Sequence, residues 1–189
     1  MMNALPLRLA GWKFEGGKPA PKKCVALAWP HTSNWDGLLL VALAQSIGLE
    51  MSWMIKSDWV KGPMGILLRG IGAVAVDREG AHNLVDQMVE LFAKRDELVL
   101  VIPPEGTRRR AETWKSGFYH IARGANVPVV PGYLDYGRKR GGFGPAIHLT
   151  GDVRADMDAI RTFYAGVNAK GLVPENVGPI ALRDENPAP

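Results

Sequence analysis

In the stretch PHTSNWD a histidine, His31, precedes an aspartate, Asp36, by five residues, and none of the other three histidines has such a companion. A carboxylate beside an imidazole fixes its tautomer and stabilises the imidazolium formed when the ring takes a proton. Such a pair can activate a hydroxyl for attack on an acyl carbon, with no serine or cysteine nucleophile. The same two residues also suit a surface histidine next to an aspartate that the dipole favours in a helix's first turn. Downstream, PPEGTRRR places Glu105, Gly106, Thr107 and Arg108 in one turn. Glycine lets the backbone approach a ligand, and an arginine can grip a phosphate with two parallel hydrogen bonds. A solvated basic turn would look the same. Asp77 and Arg78 could bind an anion or simply pair with each other, a contact that contributes little at a surface.

These side chains need elements to position them, and the apolar pattern supplies candidates. Short apolar runs at 24–29 (CVALAW), 51–55, 73–76 (AVAV), 98–102 (LVLVI) and 127–134 read as strands. Helices are expected at 36–47 with Ser33 or Asn34 as cap, and at 63–69, 81–94, 116–123 and 156–169. A further strand is expected at 147–149, and loop or frayed tail from 171 to the end. The alternation implies an α/β fold: a mainly parallel open sheet with helices on both faces, in a single domain over 1–189.

In such a sheet ligands bind beyond the carboxyl ends of the strands. His31 follows the first expected strand, Lys56 the second, Asp77 and Arg78 the third, and Glu105 to Arg108 the fourth. The basic loop 137–141, with Arg138, Lys139 and Arg140, follows the fifth. If the strands are parallel, all of these face one crevice.

Four blocks in order make the chain resemble the glycerolipid acyltransferase family, which includes bacterial 1-acylglycerol-3-phosphate acyltransferases. They are H-x4-D from His31 to Asp36, a glycine and apolar strand running to Asp77 and Arg78, E-G-T-R from Glu105 to Arg108, and V-P-V-V-P at 127–131. Lys56, Pro63, Gly65, Lys115 and Gly117 agree as well, and the resemblance covers about 24–135. Pro103 stands where the family usually has an aromatic, and Arg109 where a serine is common.

The resemblance implies His31 as general base and Asp36 as its orienting partner. It implies Lys56, Arg78 and Arg108 around the acceptor's phosphate, with Glu105, Gly106 and Thr107 shaping that site. It further implies acyl transfer from acyl-CoA or acyl-carrier protein to a lyso-lipid hydroxyl, without metal or bound cofactor. Another lyso-lipid, such as an ornithine lipid, is an alternative acceptor, and an inert lipid- or phosphate-binding module an alternative role.

Composition fits these expectations. The 189 residues are 47% hydrophobic and 22% charged, a globular mixture. The single cysteine, Cys24, lies in an apolar strand run and reads as an inert thiol, and one cysteine allows no internal disulfide. No stretch approaches the ~20 apolar residues of a membrane-spanning helix, and the opening residues do not read as a signal peptide. A net charge of +4 and a pI of about 9.3 suit nucleic acid, anionic lipid or phosphorylated small molecules alike, and charge alone does not choose among them. The expectation is a cytoplasmic protein, peripheral on the anionic surface of the membrane's cytoplasmic face; Trp12, Phe14, Trp35 and Trp59 are candidates for lipid contact, with burial the default for such rings. A metal hydrolase is disfavoured because His82, His120 and His148 lack ligand spacing. Nucleic acid is disfavoured because the basic residues fall in loops and not along a helix face with aromatics between them.

Overall fold

The computed structural model of the chain describes residues 5–60, 62–76, 84–183 and 185. In chain order its elements are α1 (Leu5–Leu9), β1 (Lys13–Glu15), β2 (Lys23–Ala28), α2 (Asn34–Ser46), β3 (Ser52–Lys56), α3 (Gly62–Gly70) and β4 (Ala73–Val76). They continue with α4 (Leu84–Lys94), β5 (Leu98–Ile102), α5 (Gly117–Gly124), β6 (Val129–Asp135), β7 (Arg140–Phe143) and α6 (Val153–Val167). Short 3-10 turns occupy Ser57–Val60 and Pro174–Asn176.

The strands form one sheet in the order β1-β7-β6-β2-β5-β3-β4. β6, β2, β5, β3 and β4 run parallel to their neighbours, while β7 turns back antiparallel to β6 and carries β1 beside it. The expected α/β class and mainly parallel sheet are therefore what the chain forms.

β5 is buried along its whole length, which is why LVLVI shows no polar alternation. The two-residue period of the strands still divides the core. Val25, Leu27, Leu98, Leu100, Ile102 and Val129 pack against α4, α5 and α6 through Met88, Phe92, Phe118, Ile121, Met157 and Ile160. Cys24, Ala26, Val99, Val101 and Val130 face the other way, toward Ala44 of α2 and the segment leading to β3.

Most elements lie within about two residues of their expected bounds, a normal scatter for helix and strand ends. The start of the expected 81–94 helix falls outside the described residues. α6 begins earlier than expected because Asp152 caps it, accepting from the amides of Arg154 and Ala155. It stops at Asn168, which takes a left-handed φ of 48°.

Three departures are larger. The basic loop after the fifth strand is in fact the β6–β7 hairpin. Arg138 bonds Asp135, Lys139 reaches the Ala10 carbonyl (3.0 Å), and Arg140 pairs with Glu15 of β1. These cations are held by partners in the chain and do not line the cavity that contains His31. The glycines there serve packing: a Cβ on Gly142 would stand 2.8 Å from the Glu15 carbonyl oxygen. At 147–149 only a single bridge, Val129 to Ile147, replaces the expected strand.

The third departure is the segment after Gly171, which packs on the core. Leu182 is buried, Trp114 N–H donates to the Ala181 carbonyl (2.6 Å), and Arg161 ties down Glu185 (2.6 Å). Trp12 is buried and its ring meets Tyr136 edge-on at 5.1 Å, and half-buried Phe14 packs on Phe143. Trp12 thus takes the default of burial and Phe14 takes it in part, whereas Trp35 is exposed; the Trp59 side chain lies outside the described residues.

Candidate active site

At its carboxyl end β2 leads through a cis Trp29–Pro30 bond to His31 and then into α2. Ser33 caps that helix, its hydroxyl accepting from the Trp35 amide, and Asp36 closes a capping box from the third helical position. The Asp36 carboxylate is almost fully buried. Its Oδ2 accepts from the amides of Thr32 (2.7 Å) and Ser33 (2.8 Å), and its Oδ1 from the Tyr136 hydroxyl (2.7 Å). His31 Nδ1 lies 3.3 Å from Oδ2, longer than those bonds. Burial pushes the Asp36 carboxyl up, but the hydrogen bonds from His31, Tyr136, Ser33 and Thr32 outweigh it and hold the group below its ordinary value. With Nδ1 turned to the carboxylate, Nε2 is left to accept a proton.

β5 delivers the second carboxylate. Pro103 and Pro104 end the strand, and Gly106 turns at a left-handed φ of 64° with its N–H on the Pro103 carbonyl (3.1 Å). A Cβ on Gly106 would meet only the flexible end of the Lys115 side chain, so it is the left-handed φ of the turn that calls for glycine. Glu105 is buried beneath this turn. Its Oε2 accepts from the His31 amide (3.0 Å), joining the loops after β2 and β5, while Oε1 makes no hydrogen bond. Burial pushes its carboxyl up to about 7, against the weaker pull of the His31 and Gly178 amides.

The 170–183 segment secures both loops. The Val173 amide donates to Thr32 Oγ1 (3.2 Å), and Arg110 Nη1 donates to the Val177 carbonyl (2.8 Å). Below, Trp29 packs against Tyr164 (4.8 Å) and Trp114 (6.3 Å), a rigid aromatic floor for His31.

A cavity of about 900 Å³ opens from His31. Gly106, Thr107, Arg108 and Lys115 line its polar part; Leu40, Val41, Trp53, Met54, Leu68 and Phe118 line its apolar part. The structure thus brings together His31, Asp36, Gly106, Thr107 and Arg108, with Glu105 directly beneath. Lys56 is not in the lining: it sits at the end of β3 in an ion pair with Asp58 (3.2 Å). Arg78, with Asp77, lies outside the described residues. Among the described residues no three His, Cys, Asp or Glu side chains come together as a metal would require.

Sequence reasoning missed Tyr136, which lies one hundred residues from Asp36, and the role of the 170–183 segment. No local pattern marks either.

The sequence model described as Acyltransferase matches residues 12–135, which contain His31, Asp36 and the Glu105 turn. The chain belongs to the acyltransferase family. Among its curated relatives is a 1-acyl-sn-glycerol-3-phosphate acyltransferase of Haemophilus influenzae, 30% identical over 133 residues, covering 65% of this chain and 54% of that one. Another is a probable 1-acyl-sn-glycerol-3-phosphate acyltransferase of Mycoplasma pneumoniae, 29% identical over 119 residues, with 59% and 44% covered. This family member spans about half the length of the curated relatives it matches. Its fold is also that of the crystal structure of the 1-acyl-sn-glycerophosphate (LPA) acyltransferase of Thermotoga maritima. That match has a TM-score of 0.57 at 18% identity, covering 84% of this chain and 72% of that one.

Proposed function

We propose that the chain transfers a fatty acyl group from a thioester, acyl-CoA or acyl-carrier protein, to the hydroxyl of a lysophospholipid, in the first place 1-acylglycerol-3-phosphate. The observation that carries this reading is His31, set on a buried, multiply hydrogen-bonded Asp36 at the meeting of an apolar cavity and an exposed arginine, Arg108. An amphiphile with an anionic head and an alkyl tail matches both parts of that lining. The names of the curated relatives support the same acceptor.

In the reaction His31 Nε2 removes the acceptor's hydroxyl proton as its oxygen bonds to the thioester carbonyl carbon. The tetrahedral intermediate then collapses, the carbon–sulfur bond breaks, and the departing thiolate takes the proton back from the imidazolium. Asp36 holds the ring and offsets its transient charge. The hydroxyl attacks directly. The chain's one thiol, Cys24, is buried and pushed up by desolvation to about 12, so it offers no acyl-carrying nucleophile.

Arg108 receives the acceptor's phosphate, with Lys115 beside it, and Gly106 and Thr107 give the turn its shape. Lys56 and Arg78 join that site when substrate is bound, a role resting on the family resemblance. The reaction so written draws on no metal or bound cofactor. No helix among the described residues is long and apolar enough to cross a membrane, and the protein works as a peripheral one at the cytoplasmic face. The test is incubation with labelled acyl-CoA or acyl-carrier protein and a panel of lyso-lipids, with products identified by mass spectrometry. Acylated lysophosphatidate supports the reading; the absence of any acylated lipid contradicts it.

A further inference from the structure

Among the described residues, the large apolar side chains most open to solvent are Leu9, Trp35, Leu38, Met64, Ile66, Leu67 and Leu172. Five of these seven sit on two helices: Trp35 and Leu38 on α2, and Met64, Ile66 and Leu67 on α3. Single exposed apolar residues are ordinary, but a cluster this dense marks an interaction surface. Trp35 and Leu38, three residues apart, share one face of α2. On α3 only Gly65 is buried, so the helix holds its leucine-rich side away from the core.

The two helices flank the same opening. Leu38 of α2 and Leu68 of α3 both line the cavity that holds His31, so apolar surface continues from the outside of the helices to the reacting group. Cations border the face: exposed Arg108 lies at the cavity and Arg69 in the last turn of α3. Apolar side chains accompanied by cations match the boundary between acyl chains and anionic headgroups.

We propose that the face formed by Trp35, Leu38, Met64, Ile66 and Leu67 docks on an anionic lipid bilayer, with the cavity opening toward the lipid. The choice of lipid over a protein partner rests on the proposed function, which requires an amphiphilic acceptor to pass between membrane and His31. This assigns membrane contact to α2 and α3 in place of Trp12 and Phe14, which are packed inward.

The test uses the full chain and vesicles of phosphatidylcholine with phosphatidylglycerol, read by co-sedimentation. Met64→Gln, Ile66→Gln and Leu67→Gln together should lower partition by roughly 10²-fold, the scale expected for withdrawing three large apolar side chains from the interface. Their exposure leaves the thermal midpoint unchanged. Leu9→Gln with Leu172→Gln, exposed but off this face, should change partition by less than about twofold. Acyl transfer to a short-chain acceptor dissolved as monomers should be the same in the α3 variant and the wild type, so failure of docking and failure of the proposed reaction show up in different assays. The proposal is overturned if the wild type does not bind these vesicles or if the α3 variant binds them as well as wild type. It is equally overturned if the wild type is a dimer that the variant breaks into monomers.

Discussion

Asp36 and Glu105 both present a carboxylate to the His31 loop, and both are nearly completely buried, at 3% and 2% exposure. They come out oppositely. Asp36 is held below its ordinary value and Glu105 is raised to about 7. What differs is the supply of donors. Asp36 collects two amides, a phenol and an imidazole, whereas Glu105 takes one full hydrogen bond, from the His31 amide, with a weaker pull from the Gly178 amide and no bond within reach of Oε1. Burial alone disfavours the charge; preorganised donors restore it. One loop therefore has a fixed anion on the imidazole side and a carboxyl poised near neutrality on the backbone side.

The largest effect expected from breaking this contrast is Asp36→Asn. The amide keeps the shape but loses the charge that orients and stabilises the imidazole, and turnover should fall by about 10²–10⁴-fold. Stability should drop by about 2–4 kcal/mol, since one of the two acceptor oxygens becomes an NH2 set against a donor and the other accepts more weakly. Turnover within a few-fold of wild type would show that Asp36 only caps α2.

Next in size is Arg108, and here a second contrast helps. The chain carries two basic runs of equal charge, but Arg138, Lys139 and Arg140 are spent on Asp135, the Ala10 carbonyl and Glu15, while Arg108 lines the cavity. Arg108→Ala should lower efficiency on a phosphorylated lyso-lipid by about 2–4 kcal/mol and matter far less on an acceptor without phosphate. Arg108→Lys should recover part of the loss, because an ammonium lacks the planar fork. Arg140→Ala should leave efficiency on both acceptors near wild type and lower only the thermal midpoint. Equal losses from Arg108→Ala on the two acceptors would remove the phosphate role.

Tyr136→Phe is expected to be smaller, lowering turnover about tenfold and stability by about 1.5–3 kcal/mol, for one hydrogen bond to a charged group. It also carries a pH signature. A carboxylate depressed on folding contributes stability above its unfolded value that is lost as pH falls through its folded value. Without the phenol that folded value rises, so acid unfolding of the variant should begin at higher pH. An unchanged acid limb would mean that the Tyr136 bond does not hold the Asp36 charge.

These contacts also show what a reader of the sequence could find. PHTSNWD placed the histidine and aspartate at a helix start, and the capping box is there. Alternating apolar runs such as LVLVI showed a parallel sheet because burial on both faces erases polar alternation. Arg140–Phe143 was hidden because a strand of arginine, two glycines and phenylalanine looks like a loop, and its glycines answer to Glu15, far away in sequence, and to Tyr133 across the hairpin. The 170–183 segment was hidden by its prolines and polar residues, since its anchors are backbone bonds to Trp114 and Thr32.

The smallest effect concerns Glu105. Its folded value near 7 against an ordinary 4.5 means that the folded state holds the extra proton between the two, so stability falls as pH rises across that window and levels off above it. Glu105→Gln should flatten the thermal midpoint between those limits. A midpoint that still declines as in wild type would locate the pH dependence elsewhere.

The central claim, that His31 takes the hydroxyl proton, is tested most directly by His31→Ala assayed with acyl donor and lysophosphatidate alongside a thermal melt. General-base catalysis by a positioned imidazole predicts a loss of turnover of at least ~10²-fold with a cooperative melt, since the ring lines the cavity and its 3.3 Å contact with Asp36 is longer than the amide and phenol bonds that still hold that carboxylate. Near-normal turnover with a normal melting midpoint would contradict the account.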